Sequence, residues 1–466
     1  MNDSNSRWVW IIVGGCLLVI LLALLLPRQR GKRANDTASP NAPSSDTAED
    51  SLDARRARSF RRSTASATAP APTAEEIVTN KLNQFVRSRR ELIHALARGY
   101  NAEVLPEMEQ FFAAVEAGRW DEMDAIYKAL RERREREEIP LSSVKLWPAL
   151  LETLGVAEAV RDWPSQKLLD YGNSILDSLR PGMVYVGGTD PGRFIPTLLN
   201  ETAEGERHVV LTQNAFADGT YMDYVRFQCG DQISVPTAED SQRAFSDYLS
   251  DAQQRLQHDR DFPNEPKQLR AGEDVRVIDN RVQVSGQVAV MAINEKLMQT
   301  LMQKNPDTPF AMEESFPFKS VFAEATSLGP IMELRARDEQ SALTRERAGQ
   351  SADYWRTTAQ QLLADPEAAG SRDVRMTYAK MAASHAGLFL DRGYTAEAEQ
   401  AFRAATDIAP ASPEAVYRYV NVLVEQKRFD EAIRITRSAI NADADNQHQF
   451  GPLARELNRL KTTQGQ

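Results

Sequence analysis

Residues 183–202 read MVYVGGTDPGRFIPTLLNET, and this stretch decides the fold. Its first four residues are apolar and include two valines and a tyrosine, which is typical of a short strand. Two glycines follow, and the apolar residues of FIPTLLNET (194–202) then recur at helical spacing. HVVLTQ (208–213) is a second apolar run. The order strand, glycine loop, helix, strand predicts an α/β domain.

Further strands are predicted downstream, so that the α/β domain covers residues 183–345 with about five or more strands. VRVIDNRVQVSG (275–286) has the pattern of a hairpin with Asp279-Asn280 as its tight turn. Three other segments are predicted as strands, namely QVAVMAI (287–293), PFAMEES (309–315) and PIMELRA (330–336). NEKLMQTLMQK, after the first of these, is predicted as a helix.

All-α regions are predicted on both sides of the α/β domain, over residues 77–182 and 346–466. In the first, Pro106 opens a helix, Gly118 breaks it and Trp120 begins another, which predicts a helical hairpin. In the second, two sets of residues match at a separation of 34 positions: Ala398, Phe402, Ala405 and Pro410, then Ala432, Thr436, Ala439 and Ala444. This spacing resembles tetratricopeptide repeats.

The repeat resemblance implies binding of a protein partner. Small residues let paired helices approach closely, and a proline ends a unit. The predicted partner-binding repeat positions are Ala398, Phe402, Ala405, Ala432 and Ala439.

The N-terminus is predicted to anchor the chain in a bacterial cell membrane. After a short tail (1–7), residues 8–26 form an uncharged apolar run long enough for one membrane-spanning helix. A signal peptide, or a lipoprotein modified at Cys16, is the alternative. Residues 27–76 are rich in Ser, Thr, Ala and Pro and predict a disordered linker. The arginines and lysine that follow the run place the bulk of the chain in the cytoplasm by the positive-inside rule.

The overall composition argues against several classes of function. The net charge of −10 over 466 residues disfavours a general nucleic-acid binder, which needs a basic surface. The chain has two cysteines and five histidines, without HxH or HExxH spacing. We therefore predict no metal site, no cofactor and no disulfide framework.

The loop between the first strand and its helix is the main candidate site. Gly187 and Gly188 would permit close approach of a ligand, and a helix N-terminus favours an anion. Asp190 could bind a sugar hydroxyl, and Arg193 could meet a phosphate or carboxylate. The alternative is a tight turn in which Asp190 only caps the helix.

Polar residues near two other strand ends could share a crevice with this loop, because ligands of open α/β sheets bind at the carboxyl ends of strands. Gln213 and Asn214 follow HVVLTQ, and Glu313 and Glu314 close PFAMEES. Adjacent residues on a strand point to opposite faces, so only one glutamate is expected to face any one site. The predicted ligand-binding residues are Gly187, Gly188, Asp190, Arg193, Asn214 and Glu314.

Three strings together resemble a known family: GGTDPGRFIPTLL, VVLTQNAFADGTYMDYVRFQCGDQI and GQVAVMAINEKLMQ. They look like the soluble part of a multi-pass bacterial membrane-protein family, typical of Verrucomicrobia-like bacteria and related to protein O-mannosyltransferases. The resemblance covers about residues 183–445. It implies a soluble module outside the cytoplasm. The positive-inside rule predicts the opposite side, so the side of the membrane stays open. The multi-pass half, to which glycosyl transfer is attributed, has no counterpart here.

The sequence therefore predicts a single-pass membrane-anchored accessory module. Its repeats are expected to bind a protein, and its α/β domain a glycan or peptide around residues 187–193. The alternative is a sugar- or phosphate-handling transferase that uses Asp190 and either Glu313 or Glu314 as acid and base. No catalytic residue is assigned from the sequence.

Overall fold

A computed structural model of the chain describes residues 71–464, apart from 189, 271, 279–280, 315–317, 336–341 and 443–445. The predicted tail (1–7), membrane span (8–26) and most of the linker (27–76) lie outside the described residues. Among the helices that the structure describes, none is both long enough and apolar enough to cross a membrane.

Six helices form the first part of the described chain. They are α1 (Ala74–Tyr100), α2 (Pro106–Glu116), α3 (Trp120–Glu135), α4 (Leu141–Val144), α5 (Trp147–Asp162) and α6 (Ser165–Leu176). The first begins slightly earlier than predicted, because Thr73 and Glu76 form a capping box. Pro106 is the first residue of α2, and Gly118 leaves the helical path with φ 64°. The predicted pair of helices α2 and α3 is present and packed together.

A mixed five-stranded sheet lies at the centre of the chain in the order β2-β1-β5-β7-β6. The strands are β1 (Val184–Gly187), β2 (Val209–Thr212), β5 (Phe310–Met312), β6 (Thr326–Leu328) and β7 (Ile331–Glu333). The central strand β1 is parallel to both β2 and β5, whereas β7 is antiparallel to β5 and β6. Helix α7 (Pro191–Glu201) connects β1 to β2, as predicted.

A separate two-stranded hairpin is formed by β3 (Asp274–Ile278) and β4 (Arg281–Ser285), with α8 (Gly219–Cys229) and α9 (Ala238–Asp261) preceding it. The antiparallel pairing from Asp274–Ser285 to Ile278–Arg281 confirms the predicted hairpin, whereas its predicted turn, Asp279-Asn280, lies outside the described residues. Helix α10 (Gly286–Lys304) begins directly after β4.

The predicted strand QVAVMAI (287–293) is wrong, because these residues form the first turns of α10. Its buried residues Ala289, Val290 and Ile293 lie on one helical face that continues to Leu297 and Leu301. Gly286, with φ 85°, ends the hairpin and lets the chain turn into the helix. A short run of valine and isoleucine does not by itself distinguish a buried strand from a buried helix.

Seven helices complete the chain: α11 (Arg345–Ala364), α12 (Pro366–Gly370), α13 (Arg372–Asp391), α14 (Thr395–Ile408), α15 (Pro413–Glu425), α16 (Phe429–Ala442) and α17 (Asn446–Gln464). Consecutive helices of this set pack against each other. Phe402 of α14 stacks on Tyr419 of α15 with ring centroids 5.6 Å apart.

The repeat helices share one core with the sheet and the N-terminal helices. Tyr171 of α6 meets Tyr378 of α13 edge-on, with ring centroids 5.3 Å apart. Lys167 of α6 forms a 2.5 Å ion pair with Asp365. Overall, the described chain is mostly helical around a central mixed sheet, with repeat helices at its C-terminus. The domain boundaries predicted from the sequence stay a prediction.

Candidate functional site

Glycine and aspartate shape the loop between β1 and α7. Asp190 caps α7, since its Oδ1 accepts a hydrogen bond of 3.0 Å from the Gly192 N–H. A Cβ on Gly187 would lie 2.8 Å from the Arg193 Cα, so glycine lets the strand pass close to the helix. A Cβ on Gly192 would lie within 2.0 Å of the Glu313 carboxyl carbon and both oxygens. The Glu313 carboxyl group thus fills the space of a side chain at position 192.

Three carboxyl groups and one ammonium group meet at this loop, and we call them the carboxylate–lysine cluster: Asp190, Glu313, Glu314 and Lys380. Lys380 extends from helix α13, and its Nζ lies 2.6 Å from Glu314 Oε1 and also pairs with Asp190 Oδ2. Tyr171 donates a hydrogen bond of 3.0 Å to Glu313 Oε1. Glu313 is fully buried and Glu314 is 5% exposed.

Both glutamates reach the cluster, so the prediction that only one could face it is wrong. Strand β5 ends at Met312, one residue earlier than the glutamates. The alternation of side chains along a strand therefore does not apply to Glu313 and Glu314.

Burial gives the two glutamates unusual proton affinities. Burial first, and then the neighbouring Asp190 carboxylate, raise the pKa of Glu313 to about 8, although Lys380 opposes the change. Burial also raises the pKa of Glu314, to about 7, against the pull of Lys380. The cluster can therefore hold and release protons near neutral pH, a property that acid–base catalysts share with some structural networks.

The positive charge of the cluster is supplied by Lys380. Burial lowers the pKa of this ammonium group, but Asp190, Glu314 and Glu313 together raise it well above its ordinary value. In the described part of the chain, no group of three or more His, Cys, Asp or Glu side chains is arranged to hold a metal ion. Lys380 instead links the carboxyl end of the sheet to helix α13.

Arg193 points away from the cluster into a second buried assembly, the Glu152 network: Arg89, Glu152, Arg193 and Tyr224. Glu152 Oε1 pairs with Arg193, and its Oε2 lies 2.6 Å from Arg89 Nε and accepts a 2.7 Å hydrogen bond from Tyr224. Burial favours the neutral acid, yet the two guanidinium groups lower the pKa of Glu152 to about 2. Arg193 was expected to meet a phosphate or carboxylate of a ligand, but it is paired with the Glu152 carboxylate of the chain itself.

Asn214 also lies apart from the cluster. It belongs to the single 3₁₀ turn Gln213–Ala215 after β2, where its main-chain oxygen accepts a hydrogen bond of 3.3 Å from the Asn294 amide. Its side-chain oxygen is buried, and no described residue donates a hydrogen bond to it.

Of the six predicted ligand-binding residues, Asp190 and Glu314 belong to the cluster. A Cβ on Gly188 would lie 3.2 Å from Asp190 Oδ1, whereas Gly187 lies against Arg193. Arg193 and Asn214 do not join them. Lys380, Tyr171 and Glu152 were missed, because each comes from a helix whose own spacing only predicts burial. The role of the six residues in ligand binding stays a prediction.

The five predicted partner-binding repeat positions are in the interior. Ala398, Ala405, Ala432 and Ala439 are fully buried, and Phe402 is 1% exposed. They pack helix against helix, so a partner would contact other residues of the repeats. Their role in partner binding stays a prediction. Because they are buried, they would act by holding the repeat helices together rather than by touching the partner.

A cavity of about 290 Å³ lies between helices α13, α14 and α15. Its wall includes Leu388 of α13, Phe402 of α14, Arg418 and Asn421 of α15, and Phe322 from the segment before β6. Burial lowers the pKa of Arg418 to about 10, and Glu314 of the cluster is the first of the carboxylates that oppose this change. The cavity thus lies among the C-terminal helices, and the segment before β6 forms one of its walls.

Comparison with known proteins identifies the repeats. The tetratricopeptide repeat family matches residues 389–455, which confirms the repeats expected from the 34-residue spacing. No curated protein and no solved structure matches the chain. The repeats indicate a role in protein–protein interaction.

Stability should depend on pH through the cluster. A glutamate whose pKa is raised on folding keeps its proton when the unfolded chain has lost it, so a rise in pH favours unfolding. The free energy of unfolding should therefore fall up to about pH 8, the pKa of Glu313. Burial lowers the pKa of His385 from 6.5 to about 4, so this histidine makes the free energy of unfolding rise with pH, but only below pH 6.5. Above pH 6.5, the change in the free energy of unfolding therefore comes from the glutamates.

Glu313→Gln should reduce the slope of the free energy of unfolding against pH, which is at most ~1.4 kcal/mol per pH unit for one group. Urea unfolding of the purified chain at several pH values between 6.5 and 8 measures it. Glu116→Gln is the control, because Glu116 lies in half-exposed ion pairs on α2. An equal slope in wild type and Glu313→Gln would contradict the raised pKa.

Proposed function

We propose that the chain is a membrane-anchored interaction module that binds a protein partner in the cavity among its C-terminal helices. The observation that carries this proposal is the cavity itself, since its walls come from repeat helices α13, α14 and α15. Cavities between packed elements, lined by apolar groups and a few polar ones, are the common sites of recognition. Phe322 adds a wall from outside the repeats.

The position of Lys380 also favours binding over catalysis. The carboxyl end of a parallel sheet is where α/β proteins usually bind small ligands. Here an ammonium group of the chain itself pairs with Asp190 and Glu314 at that edge. A substrate would have to displace it.

The transferase alternative keeps one supporting observation, the pKa values of Glu313 and Glu314 near neutrality. It loses the group that was expected to hold a phosphate, because Arg193 is paired with Glu152. A glycan or peptide ligand at residues 187–193 would likewise need to reach a loop that Lys380 covers.

Membrane anchoring through residues 8–26 is supported by the uncharged apolar run. The side of the membrane stays open between the arginine count and the family resemblance. The family resemblance over about residues 183–445 is itself a proposal.

Asn421→Trp tests the proposed binding site. Asn421 is exposed and lines the cavity, so tryptophan should fill the cavity without disturbing the core. Crosslinking in native membranes, followed by mass spectrometry, should recover the specific partner with wild type and at least fivefold less with the variant. Asn80→Trp on α1 is the matched control, because Asn80 is also an exposed helical asparagine. Equal recovery with both variants would contradict the proposal.

A further inference from the structure

The cavity opens at the ends of two helices. Helix α13 ends at Asp391 and α15 ends at Glu425, and both residues are exposed and line the cavity. Two turns before these ends, Ser384 of α13 and Arg418 of α15 also line it. Ser384 is 3% exposed and Arg418 is half-buried. The inner part of the cavity therefore carries a polar group from each helix, and the two carboxylates stand at its mouth.

The Ser384 hydroxyl is the first of these inner groups. It is buried, lines the cavity and has no hydrogen-bond partner among the described residues. A buried hydroxyl without a partner is unfavourable, because it has lost its hydrogen bonds to water. A polar group of a ligand that reached Ser384 would restore such a bond.

The Arg418 guanidinium group is the second. A Cβ on Gly387 would lie 2.8 Å from Arg418 Nη1, and Gly387 follows Ser384 by one helical turn, so the two inner groups are neighbours. Burial lowers the pKa of Arg418 to about 10, although three carboxylates, with Glu314 the first of them, favour its charge. A guanidinium group has five N–H donors, so it can donate to a ligand as well as to the chain. An acceptor in the cavity would therefore offset part of the effect of burial.

Apolar side chains surround these two groups. Phe322, Leu388 and Phe402 are buried residues of the wall. The volume of the cavity is about 290 Å³. An apolar cavity of about 150 Å³ can already hold a benzene molecule, so there is room for one aromatic side chain.

The charges around the cavity favour a neutral occupant. A cationic end that entered would meet Arg418 and the apolar walls, and an anionic end would have to pass Asp391 and Glu425 at the mouth. Of the neutral aromatic side chains, phenylalanine offers no polar group and tryptophan offers only a donor. A tyrosine hydroxyl can accept from a guanidinium group and donate to a serine oxygen, and its ring is apolar.

We propose that the cavity binds a tyrosine side chain of the partner protein. The ring would lie against the apolar wall, and the phenolic oxygen would accept a hydrogen bond from Arg418 and donate one to Ser384 Oγ. Tyrosines that fill a pocket of the other protein often supply much of the binding energy of an interface. This inference rests on the proposed function and specifies the side chain by which the partner is recognised.

A second copy of the chain is not the expected occupant. All 12 tyrosines of the chain lie between residues 100 and 419, among the residues that the structure describes, and none of them is exposed. A tyrosine of a second copy could therefore enter the cavity only after local unfolding. We expect the tyrosine to come from a different protein.

An array of immobilised nonapeptides tests the inference. The peptides have randomised flanks and a central Tyr, Phe, Glu, Lys or Leu, and they are probed with the full-length chain in mild detergent. Retention on the Tyr set should exceed retention on the Phe set about fivefold, the effect of one net hydrogen bond, and it should also exceed retention on the other sets. Asn421→Trp, which fills the cavity, should bring all the sets within about twofold of each other.

Ser384→Ala separates the hydroxyl from the shape of the cavity. It removes a single oxygen and alanine suits a helix, so the fold should be kept while the preference for Tyr over Phe falls to about twofold or less. Ser250→Ala on α9 is the matched control, because Ser250 is an exposed helical serine, and it should keep the full preference. Equal retention of Tyr and Phe by the wild type, a preference for Glu, Lys or Leu, an unchanged preference in Ser384→Ala, or an equal loss in Ser250→Ala would each overturn the inference.

Failure of the two proposals is distinguishable. If Asn421→Trp abolishes partner crosslinking while the array shows no preference for Tyr, the proposed function stands and the inference falls. If the preference is present and is reduced by Ser384→Ala, while Asn421→Trp leaves crosslinking unchanged, the chemistry of the cavity stands and the proposed function falls. Sedimentation of the wild type that shows self-association lost in Ser384→Ala would assign the cavity to a second copy and overturn the inference.

Discussion

Replacing Gly192 by alanine is expected to lower the free energy of unfolding by about 3 kcal/mol or more, at the upper end of overpacking effects. The new Cβ would lie 1.9 Å from both oxygens of the Glu313 carboxyl group. Neither group can move easily, since Gly192 lies in the first turn of α7 and Glu313 is fully buried. Urea unfolding of the full-length chain, followed by circular dichroism, measures the loss.

Gly219→Ala is the matched control, because Gly219 begins helix α8 and a Cβ there would meet no atom within 4 Å. It should be neutral or slightly stabilising, as alanine is in a helix. The double variant G192A/E313A should recover part of the stability, because removal of the carboxyl group makes room for the methyl group. If G192A unfolds at the same urea concentration as G219A, the close packing of Glu313 on α7 is contradicted.

The turn between β1 and α7 shows which features local sequence predicts and which it does not. Strand, glycines, aspartate and proline are local signals, and they predicted the loop and the cap formed by Asp190. The reason for glycine at position 192 was not predictable, because the Glu313 carboxyl group that needs the space comes from the distant segment after β5. Contacts between distant segments are set by the fold as a whole.

The difference between local signals and contacts of distant segments also explains why the repeats were predicted and the carboxylate–lysine cluster was not. The 34-residue spacing predicted the repeats, because each unit needs small residues where its helices touch. Lys380 gave no such signal, since a lysine on a helix is usually solvated. Only the tertiary fold brings the Lys380 ammonium group on α13 to Asp190 and Glu314.

Glu152→Gln is expected to cost about 3–5 kcal/mol of the free energy of unfolding, the effect of removing one partner from a buried ion pair. Glutamine has nearly the volume of glutamate, so the loss reports charge rather than a cavity. Arg89 and Arg193, each 3% exposed, would keep their charges in the core without the carboxylate that lies between them. Arg89 would retain only its 3.3 Å ion pair with Glu201.

The pH dependence separates this charge effect from simple loss of packing. The pKa of Glu152 is lowered to about 2, so its stabilisation is present above its ordinary pKa of 4.5 and lost as pH falls through 2. The difference between wild type and Glu152→Gln should therefore be largest at neutral pH and shrink below 4.5. Glu116→Gln, which removes only half-exposed ion pairs, should cost less than ~1 kcal/mol at every pH. A difference for Glu152→Gln that stays constant down to pH 2 would mean that packing, and not the two arginines, makes this carboxylate important.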